Sequence, residues 1–371
     1  MFFKKLYTCI DIGVHSIKAV QLKADKNSVD IIDAGIIKLP QETIVDGLIM
    51  DDSLVATEMQ NLFNGLNKKA KNIITTVTNN DLIIRSIEIP KLDKKDINES
   101  LKWETDEQLP YPVENASLGY HLVSEEEEVF KYIVAAVREN VVDNYQQPFK
   151  RLNLNPRVIN VQPMALVSLL NYQDEIGDNT VAIIDIGASD TQITIANRDN
   201  IMLSRTIDTG GNSFTNEIMD IDSLDFQQAE EKKFETSLLN ESDNTSEQSE
   251  ESEEEFVEPL PIGMEIESEN YNMDNLASNL ASEITRSIDY FNMKNREKEI
   301  NKVFLTGGGS RLNGLFELIS SELGREIKFI DPFKKINHKL NFESEEIVEN
   351  YKSEFSVAVG LCIGEVMADE S

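Results

Sequence analysis

Apolar positions along this chain fall into two patterns, short dense runs and longer stretches at helical spacing, and their alternation predicts an α/β fold. Residues 181–187 (VAIIDIG) are apolar up to an Asp-x-Gly, long enough for a strand buried on both faces, and residues 8–13 (TCIDIG) are a near twin. Each copy passes through small and polar residues into a second strand pattern, IKAVQLK in the first and QITIANRD in the second. Each unit therefore reads as a β-hairpin whose tip carries Asp, Gly and hydroxyls, and two such units suggest a molecule of two halves.

Around these hairpins the pattern continues in order. Residues 8–39 read as a three-strand meander ended by Pro40, and residues 52–69 as a helix with Leu54, Val55, Met59, Leu62, Phe63 and Leu66 on one face, followed by a buried strand, IITTVT. Residues 82–151 form a separate β-α-β-β-α unit: LIIRSIEIP, a helix at 94–108, SLGYHLV, FKYIVAAV and a helix at 140–152. The strand RVINV and the helix QPMALVSLL return to the first half. After the second hairpin, IMLSRTIDTGGNSFTNEIMDI runs from strand to a Gly210-Gly211 pair and a helix with Ser213 as its cap. A helix at 274–292 places Leu276, Leu280, Ile284, Ile288 and Phe291 on one face. Next come VFLTGGGSRLNG, an apolar strand entering three glycines ahead of a helix, and EIKFIDPF as a last strand. Residues 355–367 are strongly apolar; without a Lys/Arg flank, and ending in acid, they are expected as a core helix packed on the first half, not a membrane anchor.

Composition changes this picture in one region. The net charge of the 371 residues is −32, which excludes nucleic-acid binding by a general basic surface. Residues 220–270 hold 18 Asp and Glu against two Lys, half of that net charge, and 225–261 is expected to be a disordered acidic insertion because little in it can be buried. Cys9 and Cys362 are read as inert core residues, giving neither a disulfide framework nor a metal site. No run approaches about 18 apolar residues, and the first apolar run is too short and polar for a signal peptide, so a cytoplasmic protein is expected.

The hairpin tips suit a polyphosphate. Glycine lets backbone N–H groups approach an anion, hydroxyls add donors, and Lys18 supplies charge. The candidate nucleotide-binding residues are Asp11, Gly13, His15, Ser16 and Lys18 in the first hairpin and Asp185, Gly187, Ala188, Ser189 and Thr191 in the second. Gly210, Gly211, Gly307, Gly308, Gly309 and Ser310 complete the set, with Asp11 and Asp185 as candidates to hold magnesium through water.

The order strand-DIG-hairpin, strand-DIG-hairpin, strand-GGGS-helix resembles the phosphate and adenosine motifs of the actin and hexokinase superfamily. Within it, the 82–151 unit looks like the 1C subdomain of the FtsA and PilM branch, and IEIPKLDKKDINESLKWETDEQLPYPVENASLGYHLV resembles the PilM family in its strand ending in Pro, its Trp-Glu helix and its Leu-Pro-Tyr-Pro turn. Trp103 and Tyr111 in that stretch read equally well as simple core packing. Arg205, Gly210, Gly211 and Thr215 match a further PilM-like segment.

The resemblance implies a two-lobed actin-like (ribonuclease H-like) fold: 1–81 with 152–177 as the first lobe, 82–151 as an inserted 1C subdomain, and 178–371 as the second lobe. It implies Mg-ATP between the lobes, and Gln162 facing the terminal phosphate as a water-positioning residue, where PilM relatives more often carry Glu. At most a slow ATPase follows, since Gln is a poor base. It implies a scaffold of type IV pilus assembly that docks the N-terminal cytoplasmic peptide of a PilN-like inner-membrane protein, and so joins the inner-membrane platform and its other proteins peripherally. An FtsA-type division protein or a small-molecule kinase of the same superfamily are the alternatives. The first uses a basic amphipathic tail and the second a catalytic Asp in a substrate pocket, and neither has a motif here.

Overall fold

The structure, a computed structural model, describes residues 4–25, 28–238, 271–296, 298–338, 340 and 342–370. The chain opens with β1 (Lys5–Ile12), β2 (Ser16–Asp25) and β3 (Ser28–Lys38), an antiparallel meander. A small ribbon, β4 (Ile44–Val45) with β5 (Leu48–Ile49), leads to helix α1 (Asp52–Gly65). Asp51 caps α1, accepting from the N–H groups of Ser53 and Leu54 at 3.1 and 2.9 Å, and the helix buries Val55, Ala56, Met59 and Leu62. Then come β6 (Ile73–Val77), β7 (Ile83–Pro90), α2 (Lys94–Asp106), β8 (Ala116–Glu125), β9 (Val129–Arg138) and α3 (Glu139–Arg151). The chain goes on through β10 (Val158–Val161), α4 (Gln162–Tyr172), β11 (Thr180–Ile186), β12 (Thr191–Ala196), β13 (Ile201–Ile207), α5 (Gly211–Asp222) and α6 (Phe226–Glu235). Last are α7 (Tyr271–Lys294), β14 (Ile300–Thr306), α8 (Leu315–Leu323), β15 (Ile327–Phe329), β16 (Asn337–His338), α9 (Phe342–Tyr351) and α10 (Ser356–Glu370).

Among the described residues these strands make two large sheets with the same logic. In one the order is β10-β6-β1-β2-β3-β16, in the other β13-β12-β11-β14-β15. Each is built on a DIG strand, β1 or β11, with an antiparallel hairpin partner on one side and a parallel strand on the other. Every residue of β11 is buried, as its unbroken apolar run requires of a strand covered on both faces. Residues 83–138 make a separate three-stranded sheet, β7-β9-β8, with its own small core around Ile87, Ile89, Leu101, Phe130, Tyr132 and Val134.

Helix α10 packs on α4, β1 and β2. At their crossing a Cβ on Gly360 would fall 2.2 Å from the Ala165 carbonyl oxygen, so only glycine permits this approach. The packing also corrects the expectation for the cysteines. Both are buried, but Cys9 of β1 and Cys362 of α10 are bonded to each other as a disulfide, with Cα atoms 5.7 Å apart. A pairing between the two ends of the chain has no local spacing to announce it.

A second correction concerns 225–261. Its first part is ordered: α6 opens at a capping box in which Gln228 N–H donates to the Asp225 carboxylate at 2.9 Å and Asp225 N–H donates to the Gln228 side chain at 3.2 Å. The rest of that expected insertion, 239–261, lies outside the described residues. In the 1C-like stretch, where the sequence leaves core packing an open reading for both aromatic residues, Tyr111 is buried and Trp103 is 72% exposed.

Candidate functional site

The two DIG hairpins meet across a cavity of about 250 Å³. Their tips are closed by the same bond: Gly13 N–H donates to the Ser16 carbonyl at 3.0 Å, and Gly187 N–H to the Asp190 carbonyl at 2.9 Å. Asp11 stands opposite Lys18 in the β1–β2 register, and the Lys18 ammonium lies 3.6 Å from the Asp11 carboxylate. Asp185, next to last in β11, lies against the glycine turn. A Cβ on Gly307, where φ is +89°, would fall 2.3 Å from the Asp185 carboxylate, which is why that corner is glycine. Gln162, first residue of α4, donates to Asp185 at 2.5 Å and accepts from Thr78 at 3.5 Å.

Of the sequence-predicted residues, Asp11, Gly13, His15, Lys18, Gln162, Asp185, Gly187, Ala188, Ser189, Gly211, Gly307, Gly308 and Gly309 all line this cavity. Ser16, Thr191, Gly210 and Ser310 are not among its lining residues. The hydroxyls of Thr191 and Ser310 are taken by the carbonyls of Thr209 and Gly307, and that of Ser16 donates to Glu354 at 3.5 Å. The start of α5 is likewise engaged: Gly211 N–H donates to Gly187 and Asn212 N–H to Ala188, and a Cβ on Gly210 would fall 2.5 Å from the Asp190 nitrogen. These glycines brace the second hairpin from behind.

Burial sets the electrostatics. It raises Asp11 against the opposing pull of Lys18, and it pushes Asp185 up to about 7, with the nearby Asp11 charge adding to the effect. Burial likewise lowers His15, which favours the neutral imidazole. Two carboxylates that resist ionisation beside one lysine form a site that gains from an arriving cation.

Further residues at the cavity escaped the sequence reading. Lys233 of α6 is 3% exposed and donates to Glu230 at 2.6 Å, to the Thr215 hydroxyl at 3.0 Å and to the Gly211 carbonyl at 3.3 Å. Burial lowers its pKa, though Glu230 opposes this; burial would raise Glu230, but Lys233 and the Thr215 hydroxyl outweigh it and hold that carboxylate low. The Arg311 guanidinium lies 5.1 Å from the ring centre of Phe234 and 5.4 Å from that of Tyr351. The Asp225…Gln228 spacing is a capping signal that could have revealed α6 within the acidic run. Arg311, Tyr351 and Glu354 had no local signal.

A second, larger hollow of about 710 Å³ lies between the three-stranded sheet and the first large sheet. β8 and β9 wall one side; β10, α4 and the end of α10 wall the other. Among the described residues both β8 and β10 are outermost strands of their sheets. Gly119 of β8 pairs directly with Ala135 of β9, and a Cβ on Gly119 would meet nothing within 4 Å, so the wall is open there.

The fold is shared with known structures. The PilM-PilN type IV pilus biogenesis complex matches with a TM-score of 0.79 at 24% identity, over 97% of this chain and 98% of the other. The ethanolamine utilization protein EutJ of Carboxydothermus hydrogenoformans matches with a TM-score of 0.55 at 12% identity, over 97% and 89%. MreB 5 of Spiroplasma citri bound to AMPPNP matches with a TM-score of 0.51 at 16% identity, over 99% and 97%. These likenesses establish the actin-like ATPase fold. Among the described residues no helix is long and apolar enough to cross a membrane. The family of the type IV pilus assembly protein PilM matches residues 9–246 and 264–365, nearly the whole chain, and the chain belongs to that family.

Proposed function

We propose that this protein is a nucleotide-binding scaffold of type IV pilus assembly, holding the N-terminal cytoplasmic peptide of a PilN-like inner-membrane protein in the hollow beside the three-stranded sheet. The observation that carries this reading is the pair of outer strands, β8 and β10, flanking that hollow. An extended peptide can add backbone hydrogen bonds to such an edge while its side chains enter apolar pockets. The solved PilM-PilN complex of the same fold supports a PilN partner. A tail that orders on binding loses conformational entropy, so micromolar dissociation is expected, roughly −8 kcal/mol. Membrane association then comes through the partner.

The cleft between the hairpins is proposed to bind ATP with Mg²⁺. The residues fit the group: Lys18 for a phosphate charge, glycine corners that leave backbone accessible, and Asp11 and Asp185 for water bound to the metal. Among the described residues no three carboxylates, histidines or cysteines could hold a metal alone, so magnesium is expected to arrive with the phosphates. The AMPPNP carried by the MreB 5 structure, which has the same fold, supports a nucleotide as the ligand. Glu230 is placed to accept from sugar hydroxyls, and the Phe234–Arg311–Tyr351 stack offers faces for a base. Gln162, neutral and tied to Asp185 and Thr78, can orient a water but not deprotonate it, so turnover is expected to be slow. Calorimetry with Mg-ATP, and anisotropy titration with the peptide, test the two halves separately.

A further inference from the structure

Glu354 sits in the turn Lys352–Phe355 that leads into α10, with its side chain 11% exposed, and it points into the cleft. Its carboxylate lies 3.9 Å from Lys18, accepts from Ser16 at 3.5 Å, and lies 3.4 Å from the Arg311 guanidinium. A Cβ on Gly308 would fall 3.2 Å from its carboxyl carbon, so the carboxylate is pressed against the glycine turn. One acidic side chain thus joins the first hairpin to the turn that follows β14, across the space between the two large sheets.

We propose that Glu354 is a built-in stand-in for the nucleotide, an anionic latch that clasps Lys18 and Arg311 within the cleft and must be displaced when a nucleoside polyphosphate binds. This rests on the nucleotide reading above and adds to it a competitor within the chain. A phosphate oxygen and the Glu354 carboxylate need the same ammonium, which Asp11 already shares, and a third anion crowded onto it in a part-buried site is repelled by the other two. Displacement leaves neither cation stranded. Lys18 keeps Asp11, and Arg311 keeps the rings of Phe234 and Tyr351. Removing the latch therefore removes a cost of binding without creating an unpaired buried charge.

The test is calorimetry of Mg-ATP binding to the full chain, wild type against Glu354→Gln and Glu354→Asp, with melting curves to show that both variants are folded. Glu354→Gln should bind about tenfold more tightly. Glu354→Asp keeps the charge but shortens the reach, and it should also tighten binding because it cannot clasp both cations. In the wild type, amide exchange at 352–355 should speed up on saturation with Mg-ATP. A wild type that binds while Glu354→Gln binds equally or less tightly overturns the latch and leaves the nucleotide reading standing. Tightening by Gln but not by Asp also overturns it, leaving only general repulsion. Binding by both Glu354→Gln and Glu354→Asp, with none by the wild type, supports the latch in its strongest form. Failure of every form to bind at millimolar nucleotide rejects the nucleotide reading, and the latch with it.

Discussion

The cleft and the hollow lie in the same molecule but are made in different ways. The cleft is built from strand ends: Asp11, Lys18, Asp185 and Gly307 are held by tight turns and by register, and its chemistry is charge under partial burial. The hollow is built from sheet faces and edges, and its chemistry is shape plus open backbone. Changes in the cleft should therefore act through electrostatics and be large, whereas changes in the hollow should act through volume and be moderate. Each should leave the other site nearly unaltered.

The largest effect is expected at Lys18. Lys18→Ala leaves Asp11 and Glu354 without their shared cation, and breaking a buried pair in this way typically costs about 3 kcal/mol or more. Nucleotide affinity should fall by roughly a hundredfold and the melting temperature should drop. Peptide affinity in the same protein should hold, and a parallel loss there would erase the distinction between the sites.

Asp185 provides the next test. Its folded pKa of about 7 stands above the ordinary carboxylate value, so the folded state holds a proton that the unfolded chain has already released. Between about pH 4 and pH 7 the protein without added nucleotide should therefore lose stability as pH rises, with the full penalty present above pH 7. Asp185→Asn removes that penalty. It should be more stable than the wild type at pH 8, by roughly 2 kcal/mol, and the difference should shrink toward pH 5. Thermal melts of both proteins across that range check this; parallel curves would show that Asp185 ionises freely.

In the hollow, Ala135→Trp should fill the open wall opposite Gly119 and weaken peptide binding about tenfold, by overpacking. Calorimetry with Mg-ATP should give an unchanged nucleotide affinity. The smallest effect belongs to Trp103. Being exposed, Trp103→Ala should change stability by less than about 0.5 kcal/mol, and either binding constant hardly at all. A large effect on peptide binding would extend the partner surface onto α2.

What could be read beforehand follows the same division. The twin hairpins, the glycine turn and the helix faces of α1 and α7 were legible because strand, turn and helix signals are local. So was the order of strands and helices in the 82–151 unit. Glu230 and Lys233 were hidden because α6 begins an acidic run, where composition outweighed the capping box at Asp225 and Gln228. Glu354 and Arg311 reach the cleft from turns late in the chain, and Cys9 meets Cys362 only because α10 folds back onto β1. Such contacts depend on packing between remote segments. Trp103 shows the converse: an aromatic residue in a helix is no guarantee of burial.

The central claim is that an extended partner peptide binds in the hollow, separately from the nucleotide cleft. Its most direct test is fluorescence-anisotropy titration of the labelled N-terminal peptide of a PilN-like protein against the wild type, Ala135→Trp and Lys18→Ala. Binding should be micromolar for the wild type, about tenfold weaker for Ala135→Trp, and as tight as the wild type for Lys18→Ala. Undiminished binding to a folded Ala135→Trp, or no binding to the wild type at all, would contradict it.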